Sequence, residues 1–252
     1  MSRPTGTDTA RLRARGPRSA RVAQRAGGAW LAVASAGEAA GLCQGNISGP
    51  LLVMGALTPS KLAQAVAARA DIVAWTPGFV AAAGTAARRA SMRVGVHVKL
   101  DTGMGRLGTK DPGEARRLAD SIARSPELER AGAMTHFATA DDPGDTYFPV
   151  QLDRFASFAR EPKAIYPGLR ACRKQCRHVP RSGFAFDLVR CGSAIYGLDP
   201  FQETPTDRGL EPALSLESYV ASVKRPGRER RIWTALAAPG ANLGGRGAGR
   251  LR

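Results

Sequence analysis

No run of about 18 or more apolar residues occurs in this 252-residue chain, which argues against a membrane-spanning helix. The N-terminus also lacks an apolar core between a basic start and a small-residue cleavage site, so no secretory signal is expected. Its arginines (Arg11, Arg13, Arg15 and Arg18 among them) are separated by Gly and Pro and face no apolar stripe, unlike those of a transit helix. The cytoplasm is the expected compartment. Cysteine is scarce: Cys43, Cys172, Cys176 and Cys191 read as reduced thiols and not as a disulfide framework. Cys172, Cys176 and His178 lack the fourth ligand and the second spaced pair of a zinc site, so no metal is expected. Aromatic residues are few, at 6%, which is compatible with an Ala-rich α/β fold.

Charge is abundant but uneven. The net charge of +16 ordinarily points to nucleic acid or an anionic membrane. Residues 1–28, 170–181 and 224–252 carry +6, +5 and +7, so the rest of the chain is close to −2. These blocks are rich in Arg, Gly, Pro and Ala and poor in Lys, whereas a nucleic-acid surface mixes Lys with Arg on a patterned element. They also lack interleaved aromatics and any recognisable binding motif. No nucleic-acid or membrane partner is expected, and a basic nucleic-acid-binding protein is the disfavoured alternative.

Between residues 29 and 158, short β-like runs alternate with helical stretches, as βαβ units do. Strands are expected at 30–33, 51–54, 71–75, 94–100 and 133–137. Helices are expected at 37–42, 61–70, 77–89, 112–124 and 152–159, with Thr58-Pro59 and Asp111-Pro112 reading as N-cap and first helical residue. Short strands flanked by small residues fit a parallel sheet buried on both faces. The expected fold is α/β, a (β/α)₈ TIM-type barrel that is incomplete at its first strand and beyond its last. Residues 1–28 are expected to be a degraded segment, irregular over 1–20. Residues 29–223 form the barrel, with 170–181 an atypical, insert-like block, and 224–252 a basic disordered tail. In such a barrel, chemistry sits at the C-terminal strand ends, which singles out 99–106, His136 and 190–196.

Those strand ends carry recognisable motifs. The segment from His97 to Gly108 reads HVKLDTGMGRLG, and Met134 to Ala138 reads MTHFA, followed by QLDRF from Gln151. Phe186 to Pro200 reads FDLVRCGSAIYGLDP, and Pro212 to Val220 reads PALSLESYV. Over residues 20–169 and 182–224 the chain resembles the alanine racemases. The resemblance implies a pyridoxal phosphate enzyme interconverting L- and D-alanine, the D-alanine supply for peptidoglycan, and a homodimer. It implies that Arg106 meets the cofactor's phenolic oxygen and the substrate carboxylate, a task suited to a forked guanidinium. It makes Lys99 the counterpart of a lysine carbamylated in some members, where it orients that arginine. His136 and Arg190 match the pair behind the pyridine nitrogen, where a permanent cation tempers the cofactor's electron sink. Gly192 and Ser193 match the turn whose N–H groups hold the phosphate.

The sequence departs from the family in its basic blocks. The family's cofactor lysine lies on the first strand, in a motif resembling V-K-A-x-A-Y-G-H-G, yet no lysine precedes Lys61 here. A Schiff base requires a primary amine, which arginine cannot supply. After strand seven the family has H-A-A-N-S-A, where this chain reads ACRKQCRHV from Ala171 to Val179. Back-translated and read one base later, those codons permit H-A-A-N-S-A-A-T, so residues near 170–181 read as a frame-shifted stretch. No tyrosine follows Tyr219, although the family's opposite-face base is a tyrosine of a C-terminal β domain that also completes the partner's site, which puts the dimer in doubt here. The expected function is that of an alanine racemase by descent, inactive as this polypeptide and without covalently attached cofactor. A broader-specificity amino-acid racemase is the alternative that keeps the barrel.

Overall fold

The computed structural model describes the backbone of residues 7–11, 16–142, 144–165, 170–174, 186–199, 201 and 204–213, and of short pairs at 223–224, 231–232, 235–236 and 244–245. Local chemistry starts most of the helices. Ser35 caps α2 (Ala36–Gln44) in a reciprocal capping box with Glu38, whose carboxylate also accepts the Ala34 N–H at 2.7 Å. Thr58, Thr76 and Asp111 cap α3 (Pro59–Ala67), α4 (Pro77–Arg89) and α5 (Pro112–Arg124), each followed by a proline that has no N–H to leave unsatisfied. These three cap-proline pairs turn the chain from a strand end into the next helix.

Eight parallel strands close into a barrel. They are β1 (Thr7–Arg11), β2 (Trp30–Val33), β3 (Leu51–Val53), β4 (Asp71–Ala74), β5 (Val94–Lys99), β6 (Leu128–Met134), β7 (Arg170–Lys174) and β8 (Leu188–Cys191). Helix α1 (Gly16–Arg25) follows β1 and α6 (Tyr147–Ile165) follows β6. Among the described residues no helix lies between β7 and β8. Alternation divides the strands with described side chains between two cores. Leu31, Val33, Ile72, Val94, Val96 and Val98 pack outward against helical residues such as Leu62, Val80 and Leu118. Trp30, Ala32, Leu52, Met54, Val73, Met134 and Leu188 fill the lumen. Each large apolar side chain buried this way stabilises the fold by about 1.5–3 kcal/mol.

Three expectations are corrected. Irregular chain was expected over residues 1–20, but Thr7–Arg11 pairs with β2 on one side and with β8 on the other, and α1 begins at Gly16. The sequence TDTAR has little apolar content; what fixes it is backbone pairing, because an unfilled position would leave two open sheet edges. The strand expected at 133–137 runs instead over Leu128–Met134, since Glu129 and Arg130 hide its first half from an apolar-run reading. Part of the insert-like block at 170–181 enters the barrel as β7, while residues 175–185, with Cys176 and His178, lie outside the described residues. In the tail, only two-residue ladders are described, Arg231–Ile232 with Ala235–Leu236 and Gly244–Gly245 with Val223–Lys224. No helix of the described residues is long and apolar enough to cross a membrane.

Candidate active site at the C-terminal rim

The loop after β5 is shaped by one carboxylate. Asp101 Oδ1 accepts the backbone N–H groups of Gly103, Met104 and Gly105 at 3.0, 2.8 and 3.1 Å, and Oδ2 accepts that of Gly105 at 3.0 Å. The loop returns to its own stem, where Thr109 N–H donates to the Lys99 carbonyl and Asp101 N–H to the Thr109 carbonyl. Gly108, at φ +117°, allows that return: a Cβ there would lie 2.8 Å from Asp101 N. Gly103, at φ +135°, leaves room for the Tyr147 hydroxyl, which a Cβ would strike. Arg154 on α6 donates to the Thr102 carbonyl at 3.1 Å and to the Tyr147 hydroxyl at 3.2 Å, so α6 clamps the loop from outside.

Two further strand ends join this loop. The Thr102 and Thr135 hydroxyls are 2.9 Å apart and buried, linking the β5 loop to the end of β6. Arg190, on β8 and only 4% exposed, donates through Nη2 to the Thr135 carbonyl and through Nη1 to Met54 Sδ at 3.2 Å. Its Nε is buried and has no hydrogen-bond partner among the described residues. His136 follows Thr135 directly and is buried. Lys99 ends β5, buried, with Met134 as its register partner on β6.

The rim therefore holds Lys99, His136 and Arg190 at the C-terminal ends of their strands, with the Thr135 carbonyl as the link from β6 to Arg190. Arg106 lies on the β5 loop with its side chain exposed. Gly192 precedes a 3₁₀ turn over Ser193–Tyr196, where Ser193 is exposed. Asp101, Tyr147 and Arg154 were not anticipated as site-shaping residues. The D-x-G-x-G spacing signals the role of Asp101, whereas the α6 clamp spans 52 residues between Arg154 and Thr102 and has no local signal.

A separate feature lies at the other end of the barrel. A cavity of about 290 Å³ is lined by Arg69, Asp71, Arg93 and Gly95 among others, at the N-terminal ends of β4 and β5. Asp71 in its wall pairs at 3.2 Å with Nε2 of His97, a fully buried lumen residue whose ring meets Trp30 edge-on at 5.7 Å. This cavity takes no part in the rim.

The N-terminal domain profile of alanine racemase matches residues 12–200. The chain belongs to the alanine racemase family. It is 37% identical over 211 residues to the alanine racemase of Symbiobacterium thermophilum, covering 81% of this chain and 55% of that protein. It is 36% identical to that of Geobacillus stearothermophilus, covering 82% and 53%. Among solved structures, the alanine racemase of Streptomyces coelicolor A3(2) superposes with a TM-score of 0.75 at 27% identity, over 94% of this chain and 67% of that one. A structure from Clostridium difficile 630, at 22% identity and a TM-score of 0.77, shares the fold. The chain thus spans about half the length of the curated relatives it matches.

The family uses pyridoxal phosphate, and the rim can be tested for its fit. Arg190 offers a buried donor atom still lacking an acceptor, which suits a ring nitrogen. β1, which stands where this alanine racemase-family barrel begins, reads TDTAR and holds no amine. The Arg190 donor suits the cofactor's ring nitrogen, and a first-strand attachment does not fit.

Proposed function

We propose that this chain is an alanine racemase barrel that holds pyridoxal phosphate without a first-strand lysine and does not racemise alanine at an ordinary rate. The observation that carries the reading is the unpartnered Nε of buried Arg190, whose Nη2 holds the Thr135 carbonyl one residue before His136, in a barrel whose first strand has no lysine. Bound there, the cofactor would supply an electron sink for the substrate's α-carbon. Arg190 would donate to the ring nitrogen and, being permanently charged, discourage its protonation. His136 would support that face of the ring, and Gly192 and Ser193 would present backbone N–H groups to the phosphate. Arg106, exposed on the β5 loop, would fork onto the carboxylate of alanine. Lys99 would orient it, as a carbamylated lysine does in some members. D-alanine for peptidoglycan would be the product of the intact activity, in the cytoplasm; a homodimer is the family's assembly and is not required by this reading.

Racemisation needs acid/base groups on both faces of the reacting carbon, and losing one positioned group typically removes a factor of about 10²–10⁴ in rate. The test is to equilibrate the purified chain with pyridoxal phosphate, measure its retention by equilibrium dialysis, and monitor D-alanine formation from L-alanine. Retention with little or no D-alanine supports the proposal. Turnover at the rate of an ordinary alanine racemase, or no retention at all, sinks it. Adding L-serine and other small amino acids in parallel separates an alanine site from a broader amino-acid site.

A further inference from the structure

We propose that the cavity at the N-terminal end of the barrel is a binding site for a small zwitterionic amino acid. Arg69 and Arg93 take its carboxylate and Asp71 takes its ammonium group. The cavity holds about 290 Å³, at the small end of the range of about 300–1,000 Å³ that small-molecule sites occupy. It lies at the opposite end of the strands from the rim, and nothing in it depends on whether the rim holds pyridoxal phosphate.

The charges stand at the starts of two neighbouring strands. Arg69 follows α3 in a left-handed turn, at φ +54°, with its N–H on the Val66 carbonyl at 2.9 Å, and Asp71 then opens β4. Arg93 directly precedes β5. Both arginines line the cavity, and among the described residues neither guanidinium makes a hydrogen bond or an ion pair. Asp71 supplies the opposite charge. Its Oδ2 pairs at 3.2 Å with Nε2 of fully buried His97, which in turn packs edge-on against Trp30. Its Oδ1 lies over Gly95, where a Cβ would come within 2.3 Å of it, and accepts no hydrogen bond among the described residues. Glycine at 95 thus gives that carboxylate its place in the cavity wall.

Two guanidinium groups and one carboxylate in so small a space select their ligand by charge pattern. A simple anion would meet Asp71, and a simple cation would meet both arginines. A molecule with a carboxylate and an ammonium group on one carbon satisfies all three. Guanidinium forks onto the carboxylate, and the ammonium group donates to Oδ1 in a charge-assisted hydrogen bond. Half-buried Met92 adds apolar wall for a short side chain. Because His97 holds Asp71 from behind, the carboxylate is oriented before any ligand arrives, which reduces the ordering cost of binding.

The experiment is isothermal titration calorimetry of the full chain without pyridoxal phosphate. L-alanine is the probe, and propionate and ethylamine each lack one of its charges. Saturable binding of L-alanine is expected, with propionate and ethylamine weaker by about tenfold or more, the loss of one charge-assisted hydrogen bond. Arg69→Gly suits the left-handed backbone while removing the guanidinium, so it should keep the melting temperature and lose affinity by a similar factor. Asp71→Asn should erase the preference for L-alanine over propionate, which a purely structural Asp71 would leave intact. Arg106→Ala, which removes the arginine of the rim, should leave this binding in place. No saturable binding by the folded chain overturns the site, as does an affinity unchanged in Arg69→Gly. Binding lost in Arg106→Ala but kept in Arg69→Gly puts L-alanine at the rim and overturns it too. Propionate binding as tightly as L-alanine overturns the zwitterion. If Asp71→Asn is unfolded, the comparison of L-alanine with propionate in the unsubstituted chain, together with Arg69→Gly and Arg106→Ala, still decides the question.

Discussion

Arg190 reaches from β8 across the seventh strand to donate a buried hydrogen bond to the carbonyl of Thr135 at the end of β6. That one side chain ties together two strands that are not neighbours and closes the C-terminal rim around its own unpartnered Nε. Because Thr135 also meets Thr102 through paired hydroxyls, a single residue of β6 links the β5 loop to β8.

Removing Arg190 tests both halves of that arrangement. Arg190→Ala strands the fully buried Thr135 carbonyl, and an unsatisfied buried group of this kind costs about 1–3 kcal/mol. Urea unfolding should register that loss, and dialysis should show lower retention of pyridoxal phosphate. Arg190→Lys should preserve the charge but not the fork, so retention should fall there too. Retention unchanged in both variants would remove Arg190 from the binding site.

Asp101 governs the loop that bears Arg106. Its carboxylate accepts three successive N–H groups, and hydrogen bonds to a charged acceptor are worth about 1.5–3 kcal/mol each when lost singly. Asp101→Ala should destabilise the fold by about that amount in chemical denaturation, without full additivity. Amide hydrogen exchange at Gly103 to Gly105 should accelerate well beyond the global change. Exchange confined to the global effect would mean that the loop holds its shape without Asp101.

How much of this was legible in the sequence depends on the range of each interaction. The helices at Pro77–Arg89 and Pro112–Arg124 match their expected bounds because an N-cap, an adjacent proline and an apolar period all act within a turn. The barrel plan and the rim positions of Lys99, His136 and Arg190 were legible from motif and strand order. β1 was not, because TDTAR carries little apolar signal and its place is given by backbone pairing with Trp30 to Ala32 and with β8. The Asp71–His97 pair and the Tyr147–Arg154 clamp join residues far apart in the chain, and no spacing rule reports them.

Glu127 gives the fold an acid-sensitive link. The hydrogen bond from Arg88 Nε, at 2.6 Å, is the main cause that holds its carboxyl down to about 2 from an ordinary 4.5, with help from a backbone N–H and from Ser125. A carboxylate whose folded value lies below its unfolded one stabilises fully above the unfolded value and loses that contribution as pH falls through the folded one. The link is therefore intact above pH 4.5 and fades between 4.5 and about 2. Glu127→Gln should melt lower than the unsubstituted chain at neutral pH, with the gap narrowing on acidification through that window. A gap that stays constant would show that the pair does not contribute.

The last expectation concerns Phe155, which joins the packing of the fold to the geometry of the rim. It is fully buried on α6, with ring centroids 6.4 Å from Phe137 and 4.9 Å from Phe186, both edge-on. Phe137 directly follows His136, and Phe186 lies two residues before β8, the strand that carries Arg190. One ring thus packs between the segments that position both residues of the proposed ring-nitrogen pair. Phe155→Ala removes a large buried aromatic and opens a cavity, which typically costs about 3–5 kcal/mol. Phe155→Leu keeps most of the volume and should cost markedly less. Because the cavity would border both segments, dialysis on the fraction still folded should show weaker retention of pyridoxal phosphate in Phe155→Ala, with Phe155→Leu between it and the unsubstituted chain. Val80, buried among the helices by α4, supplies the control, since Val80→Ala lowers stability without touching either segment. If the two alanine variants retain cofactor equally well at matched folded fraction, Phe155 serves stability alone and the rim is positioned by its hydrogen bonds.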